Sequence, residues 1–257
     1  MKKVHVIIVG GGKEDISWVN NLIYPSTLYL FKNLPEGIAP NLGREYYPFY
    51  KWIYDNYDGI HEYDYLILAH AHRTFWHCNV NIDELINNLL FHYKYENINI
   101  FPHQYYPEAG HLKEDWTLVN CKQVDKDKQR QFKIEEDFDF YQTFFSYKFE
   151  EFLDLFGIEQ FPLEEIIGKR CGQCYVSTDL ILNKSKDFWK KLIDFFTVVP
   201  HKLYEERPDV IQFFTDNECF NLLYPCALLF EIINHYIFTG FKDYRDVFQL
   251  SVVSKVQ

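Results

Sequence analysis

The chain has 257 residues, of which 47% are hydrophobic and 19% aromatic, and this composition suits the core of one large domain. Its net charge of −11 argues against a general nucleic-acid binder, because such proteins need a basic surface to displace phosphate counterions. No apolar run approaches the roughly 18 residues of a membrane span. We therefore expect a cytoplasmic protein with no nucleic-acid partner and no integral membrane segment.

The N-terminal sequence predicts a β-strand that ends in a run of glycines. Residues 4–9 are apolar and rich in β-branched side chains, and Gly10, Gly11 and Gly12 follow them directly. The glycines fit a tight turn, and they also fit a loop whose backbone approaches a nucleotide. They lack the spacing of the dinucleotide-binding and P-loop motifs, so neither of those sites is predicted.

A polar turn precedes an aromatic helix. Asn41, Gly43 and Arg44 come just before residues 45–57, whose aromatic side chains recur at helical spacing. The start of a helix offers N–H donors and Arg44 offers a guanidinium fork, so this turn could hold a phosphate or a carboxylate. A surface ion pair between Arg44 and a carboxylate such as Glu45 fits the same residues.

Histidines are concentrated where a buried strand is predicted to end. Residues 65–69 are apolar, and His70, His72 and His77 follow within eight residues. Spacing by two should place His70 and His72 on one side of the strand, where imidazoles can bind a divalent metal, with His77 as a third ligand. The imidazoles could instead contact a diphosphate directly, together with Arg73, or be structural.

The rest of the chain alternates between strands and helices, except for one long polar stretch. Further strands are predicted at residues 27–31, 97–101 and 172–177. Further helices are predicted just after Glu14 and Asp15 and at residues 83–93, 186–196 and 218–238. This order predicts an α/β fold with a doubly wound, mostly parallel central sheet flanked by helices. Residues 103–165 predict a helical insertion into a single domain of residues 1–257.

Two pairs of polar residues near the C-terminus are candidates for acid–base chemistry. Glu231 and His235 are four residues apart and share one face of the predicted helix, which suits a general base and a polar contact. An intrahelical pair without chemistry fits that spacing too. Asp216 and Glu218 form a second acidic pair, which could serve only to cap the helix.

The six cysteines are interpreted as packing thiols in a reducing compartment. Cys171 and Cys174 have the spacing of redox and zinc motifs, but no second pair completes a four-ligand site. Strand alternation would also direct the two sulfurs to opposite faces.

Several of these motifs resemble an uncharacterised, mainly fungal family. The resemblance is carried by the E-D-x-x-W start at residues 14–18, the N-x-G-R-E turn at 41–45 and the H-x-H-x-x-x-W-H segment at 70–77. The strand at 174–177 and the E-x-x-x-H-x-x-F pattern at 231–238 also look like that family. The match leaves out roughly residues 103–165.

The same layout is similar, more distantly, to glycosyltransferases with the GT-A fold, including rhamnan-synthesis-type proteins. That resemblance implies a Rossmann-like GT-A fold with a nucleotide-sugar site at the first strand, the turn at 41–45 and the strand end at 70–72. GT-A enzymes usually carry an Asp-x-Asp motif at this strand end, to hold Mn²⁺ or Mg²⁺ against the diphosphate. Here His70 and His72 replace it, which favours Mn²⁺ over Mg²⁺ or a metal-independent site.

The expected function is therefore transfer of a sugar from a nucleotide-sugar donor to a hydroxyl acceptor of a glycan or glycoconjugate. The donor site is expected to use Gly10, Asn41, Gly43, Arg44, His70, His72, Arg73 and His235. Glu231 is the expected base, with Asp216 or Glu218 in reserve, and His70, His72 and His77 are the candidate metal ligands. Two alternatives remain open, namely a metal-dependent hydrolase built on the His-x-His strand end and a non-catalytic protein that binds a nucleotide or glycan.

Overall fold

The structure is a computed structural model that describes residues 2–11, 14–30, 45–74, 81–98, 119–120, 167–168, 172–206, 230, 234–241 and 244–250. Its strands are β1 Val4–Gly10, β2 Ser26–Leu30, β3 Tyr65–His70, β4 Tyr95–Asn97, β5 Val119–Asn120, β6 Ile167–Gly168 and β7 Cys174–Ser177. Its α-helices are α1 Tyr46–Asp55, α2 Ile82–Asn87, α3 Thr178–Leu182 and α4 Lys186–Glu206. Three 3₁₀ helices span Ser17–Asn21, Tyr57–Glu62 and Tyr244–Gln249, and residues 234–239 are helical.

Five of the strands form one mixed sheet in the order β2-β1-β3-β7-β4. β1 pairs in parallel with both β2 and β3, whereas β7 is antiparallel to both β3 and β4. It follows that β1, β2, β3 and β4 all point the same way and that β7 alone is reversed. The sheet is therefore mostly parallel, as expected, and the start of β7 lies at the same edge as the ends of β1, β3 and β4.

Both faces of this sheet are covered, because its central strands are apolar at nearly every position. Alternate residues of β1 and β3 enter two different cores. One core joins the sheet to α1, α4, Phe230 and residues 237–238. The other core joins the sheet to Trp18 and α2. Helices on both faces fix the edge at which the strands end.

The predicted elements are largely confirmed within the described residues. β1, β2, β3 and α1 lie within a residue or two of their expected positions. The helix expected at 83–93 ends at Asn87. A strand is found at Tyr95–Asn97, overlapping the start of the one expected at 97–101, whose residues 99–101 lie outside the described part of the chain. Phe91 has a φ of 51°, a left-handed conformation that turns the chain between these two elements.

The segment after Glu14 and Asp15 forms a single 3₁₀ turn, Ser17–Asn21, and not the expected α-helix. Trp18 in this turn is fully buried, and its indole N–H donates to the carbonyl oxygen of Ala71 at 2.8 Å. The turn is thereby tied to the segment that carries the histidines. Of the predicted helical insertion at 103–165, the structure describes residues 119–120, which form β5 and pair antiparallel with β6. The rest of that insertion and the N-terminal part of the helix predicted at 218–238 lie outside the described residues.

No helix in the described part of the chain combines the length and apolarity needed to cross a membrane. Of the six cysteines, Cys174 lies among the described residues; it is buried, and its sulfur accepts a hydrogen bond from the side-chain amide of Asn234 at 3.4 Å. Cys171 does not, so the expected divergence of the two sulfurs remains a prediction.

Candidate functional site

The candidate site lies at the edge of the sheet where β1, β3 and β4 end and β7 begins. Residues just past a strand end are well placed to meet a ligand, because side chains and backbone there leave the packed interior. The backbone of β1 and the histidine segment adjoin at this edge, since the Ala71 N–H donates to the carbonyl oxygen of Val9 at 2.9 Å. Gly10 and Gly11 therefore lie beside His70 and His72.

His70 ends β3 and meets a buried carboxylate. Its Nε2 atom lies 3.1 Å from Oε1 of Glu45, whose side chain is only 7% exposed, while the side chain of His70 is 29% exposed. Glu45 is the N-cap residue of α1, but its side chain makes no capping hydrogen bond to the helix. The fold thus directs the carboxylate from the start of α1 towards the end of β3.

The start of β7 completes the surroundings of this pair. The side-chain oxygen of Gln173 accepts the His70 backbone N–H at 3.0 Å, and Gln173 itself is fully buried. A Cβ atom at position 172 would overlap Oε1 of Glu45 and lie 2.7 Å from Nε2 of His70. The lack of a side chain at Gly172 therefore lets the Glu45 carboxylate and the His70 imidazole pack directly against the backbone of β7.

His72 is placed differently from His70. Its Nε2 atom lies 3.7 Å from Oε1 of Glu14, and its side chain is 60% exposed. The same Glu14 oxygen accepts the Gly11 N–H at 2.9 Å, so this carboxylate also holds the loop after β1. β3 ends at His70, so strand alternation does not extend to His72. Each imidazole contacts a carboxylate from a different element, and a metal ion shared by the two rings stays a prediction.

Arg73 is held by a buried aspartate. Its Nε and Nη2 atoms each donate to a carboxylate oxygen of Asp83 at 3.3 Å, and the side-chain amide of Asn21 donates to the same carboxylate at 2.8 Å. Burial raises the pKa of Asp83, but these hydrogen bonds outweigh that effect and hold it below its usual value. Arg73 therefore balances the charge of Asp83 while its side chain stays 44% exposed.

We expect Gly10→Ala to destabilise the protein, because a Cβ at this position would overlap the Cβ of Ala71 and lie 3.1 Å from Oε2 of Glu14. Ala71 is fully buried, so the backbone of β1 or β3 must shift. Overpacking of this kind costs about 1–3 kcal/mol. Urea unfolding would measure the loss. Gly59→Ala is the matched control, since nothing lies within 4 Å of its Cβ, and an equal loss there would contradict the prediction.

The other predicted site residues fall into two groups. His235 is described and is 2% exposed, and its carbonyl oxygen accepts from the hydroxyl of Thr239 at 2.7 Å. Contact between its ring and a ligand stays a prediction. The residues that lie outside the described part of the chain are Asn41, Gly43, Arg44, His77, Asp216, Glu218 and Glu231.

The three-histidine metal site also stays a prediction, because it includes His77. Within the described residues, no group of three or more His, Cys, Asp or Glu side chains is placed to hold a metal ion. The 3.1 Å separation of His70 Nε2 and Glu45 Oε1 is that of a direct polar contact between the two side chains.

Sequence reasoning missed four residues that shape this edge, namely Glu14, Glu45, Gly172 and Gln173. From the sequence, Glu14 is interpreted as a helix start and a member of the E-D-x-x-W motif. Glu45 is interpreted as a helix start, a member of the N-x-G-R-E turn and a surface partner of Arg44, and neither residue is assigned a role at the site. A usable signal was present, because each carboxylate lies in a connection that follows a strand of a parallel sheet. Such connections start from the same edge, so acidic residues within them are candidates to meet the histidines.

Comparison with known protein families finds a match over most of the chain. A family described as Protein of unknown function (DUF3431) matches residues 6–208. The chain belongs to this family. The matched range contains the histidine segment, Glu14, Glu45 and Gly172, and it ends before Asp216, Glu218, Glu231 and His235. No curated protein and no solved structure matches the chain.

Proposed function

We propose that the protein is a glycosyltransferase that moves a sugar from a nucleotide donor to a hydroxyl acceptor. The observation that carries the proposal is the meeting of the ends of β1 and β3 at one sheet edge, where Gly10 and Gly11 adjoin His70 and His72. Glycines beside imidazoles suit a nucleoside diphosphate, because the exposed backbone N–H groups and the ring nitrogens can both contact phosphate oxygens. The distant resemblance to GT-A enzymes supports the same reaction.

The chemistry requires that the negative charge on the leaving diphosphate be stabilised. We assign this role to His70, His72 and Arg44, with Arg73 as a further cation at the same edge. Asp83 fixes the position of Arg73, and Glu14 and Glu45 fix those of the two imidazoles. Because these carboxylates are attached to separate elements, the arrangement is preorganised before any donor binds.

The acceptor hydroxyl must be aligned with the sugar and must lose its proton during transfer. We assign removal of the acceptor's proton to Glu231, with Asp216 or Glu218 as the reserve base. We assign His235 a polar contact with the donor. A divalent cation bound beside His70 would neutralise part of the diphosphate charge. Imidazole nitrogen as a donor favours Mn²⁺ over Mg²⁺ for that role.

We expect one nucleoside phosphate to raise the melting temperature selectively when UDP, GDP, CMP and dTDP are compared, each with and without Mn²⁺. A ligand that binds only the folded protein adds about 2.7 kcal/mol at a hundred times its dissociation constant, which a thermal melt resolves. The nucleotide that shifts the melt would identify the donor class. Incubation with the matching nucleotide-sugar should then release that nucleotide in an acceptor-dependent manner.

The alternatives give different results in the same experiments. A metal-dependent hydrolase would bind zinc and cleave model esters without any nucleotide. A non-catalytic binding protein would show the selective melt shift but release no nucleotide from the sugar donor. Absence of a shift with every nucleotide would contradict the transferase proposal.

A further inference from the structure

We propose that the carboxylate of Glu14 occupies the place of a phosphate oxygen in the free protein, and that it swings aside when the diphosphate of the donor binds. This role of Glu14 rests on the proposed function, because it concerns the same nucleotide site. The side chain would compete with the donor, so its removal should strengthen the binding of a diphosphate.

One oxygen of Glu14 contacts two groups that suit a phosphate. Its Oε1 atom accepts the Gly11 backbone N–H at 2.9 Å and lies 3.7 Å from Nε2 of His72. Backbone N–H groups after a strand and imidazole nitrogens both contact phosphate oxygens readily. The position of Oε1 therefore marks a point where an anionic oxygen meets both groups at once. Because a backbone N–H is a single donor, the carboxylate and a phosphate must compete for it.

The same carboxylate lies across the glycines at the end of β1. A Cβ atom at Gly10 would be 3.1 Å from Oε2 of Glu14, and one at Gly11 would be 3.3 Å from Oε1. The side chain of Glu14 is only 10% exposed, although glutamate is among the residues that are most rarely buried. It therefore covers the backbone that a phosphate would approach.

Glu14 can leave this place without a shift of the backbone around it. It belongs to no helix or strand, since it lies between β1 and the 3₁₀ turn that begins at Ser17. The residues that follow are held separately, because the carboxylate of Asp15 accepts the Ser17 N–H at 2.9 Å and Trp18 is fully buried. His72, on the other side, is 60% exposed. Rotation of the Glu14 side chain towards solvent is therefore sufficient.

Glu45, the other carboxylate at this edge, is held more firmly. It contacts His70 at 3.1 Å and packs against the backbone of β7, where a Cβ at Gly172 would overlap its Oε1 atom. Its side chain is 7% exposed. Glu45 therefore keeps its contact with His70, and displacement by the donor is assigned to Glu14 alone.

The test measures the binding of diphosphates to the full chain by isothermal titration calorimetry, with inorganic pyrophosphate, UDP, GDP and dTDP as probes. Glu14→Ala removes the competing carboxylate and should tighten binding of pyrophosphate and of the preferred nucleotide at least tenfold. A tenfold gain corresponds to a natural chain whose site is open about one tenth of the time, because apparent affinity scales with the fraction of the competent form.

Glu14→Gln separates occupancy from charge. The amide has no charge, but its oxygen can still accept the Gly11 N–H, so the variant should bind diphosphates more tightly than the natural chain and less tightly than Glu14→Ala. It keeps the size of the side chain, so it decides the question if Glu14→Ala does not fold. Circular dichroism and melting curves would show which variants are folded.

The matched control is Asp15→Asn, which removes the same charge from the adjacent residue, whose carboxylate accepts the Ser17 N–H and not that of Gly11. Its affinity for each probe should stay within twofold of that of the natural chain. A comparable gain in this control would attribute the effect to overall charge and overturn the proposal.

The remaining outcomes separate this role of Glu14 from the transferase proposal. Unchanged or weaker binding in both Glu14 variants would overturn the role, because Glu14 would then only orient His72 or the loop after β1. Equal gains in the two variants would overturn it too, since loss of charge would explain them. If the natural chain still binds a nucleotide in these cases, the transferase proposal stands. If no probe binds the natural chain or any variant, both proposals fail.

Discussion

Replacement of both His70 and His72 by alanine is expected to lower turnover of the nucleotide-sugar donor by roughly a hundredfold or more, without unfolding the protein. Loss of one preorganised group that stabilises leaving-group charge typically costs about that much, and here two are removed together. The change should fall on kcat more than on KM, since charge develops on the diphosphate mainly in the transition state. Steady-state kinetics with the donor identified by the melt panel would measure it.

Folding must be controlled in this experiment, because His70→Ala removes the neighbour of the buried Glu45 carboxylate. His70→Gln provides a second variant, since its amide can still donate towards Glu45 while it lacks the imidazole. The matched control is His61→Ala with His92→Ala, which removes two exposed histidines away from this edge. Turnover that is unchanged in the His70 and His72 variant would end the assignment of these residues.

Glu96→Gln is expected to change how stability depends on pH. The carboxylate of Glu96 is 1% exposed within β4 and accepts a hydrogen bond from the hydroxyl of Tyr175. Burial raises the pKa of Glu96 from 4.5 to about 7, although the Tyr175 hydroxyl opposes this shift. The folded protein therefore holds this proton more tightly than the unfolded chain does. The contribution of Glu96 to stability is complete below pH 4.5 and is lost as the pH rises to about 7.

The size of the effect follows from the shift in pKa. At about 1.4 kcal/mol per unit, moving from 4.5 to about 7 corresponds to about 3 kcal/mol. The variant has no ionisable group here, so its stability relative to the natural chain should improve by that amount between pH 4.5 and pH 8. Urea unfolding across this range, with the exposed Glu62→Gln as the control, would measure the difference. Parallel curves for the natural chain and Glu96→Gln would contradict the prediction.

His5 makes the comparison with a variant necessary. Its ring stacks on Trp52 at 4.6 Å, and burial lowers the pKa of His5 from 6.5 to about 4. The folded state favours the neutral ring, so this contribution is complete above pH 6.5 and is lost as the pH falls towards 4. The contributions of Glu96 and His5 to stability change in opposite directions over nearly the same range of pH. The pH profile of the natural chain alone would therefore conceal both effects.

The parts of the fold that could be predicted are those encoded by local patterns. An apolar run closed by glycine predicted β1, and the apolar run before His70 predicted β3. Aromatic residues at helical spacing predicted α1. The end of α2 could not be predicted in this way, because Phe91 adopts its positive φ while packing against Tyr65 and Tyr175, which are distant in sequence.

The candidate site was predictable only in part, for a related reason. The strand-end location of His70 and His72 follows from the sequence of β3, and their position beside Gly10 follows from parallel pairing. The place of Glu14 and Glu45 in connections that start from this edge was a usable signal, but which imidazole each carboxylate contacts depends on three-dimensional packing that no local pattern specifies. The reversal of β7 was equally hidden, although it brings Gly172 and Gln173 to this edge.

The reversal of β7 has a consequence for how this family can diversify. β4 leaves the sheet at the candidate edge and β7 enters it there, with the Ile98 N–H donating to the carbonyl oxygen of Gln173 at 3.1 Å. The long polypeptide between residues 98 and 172 is therefore anchored at both ends beside His70. Insertions or deletions within it can arise without altering the register of any strand in the five-stranded sheet. A change of length there would leave both the pairing of β4 with β7 and the His70 edge intact.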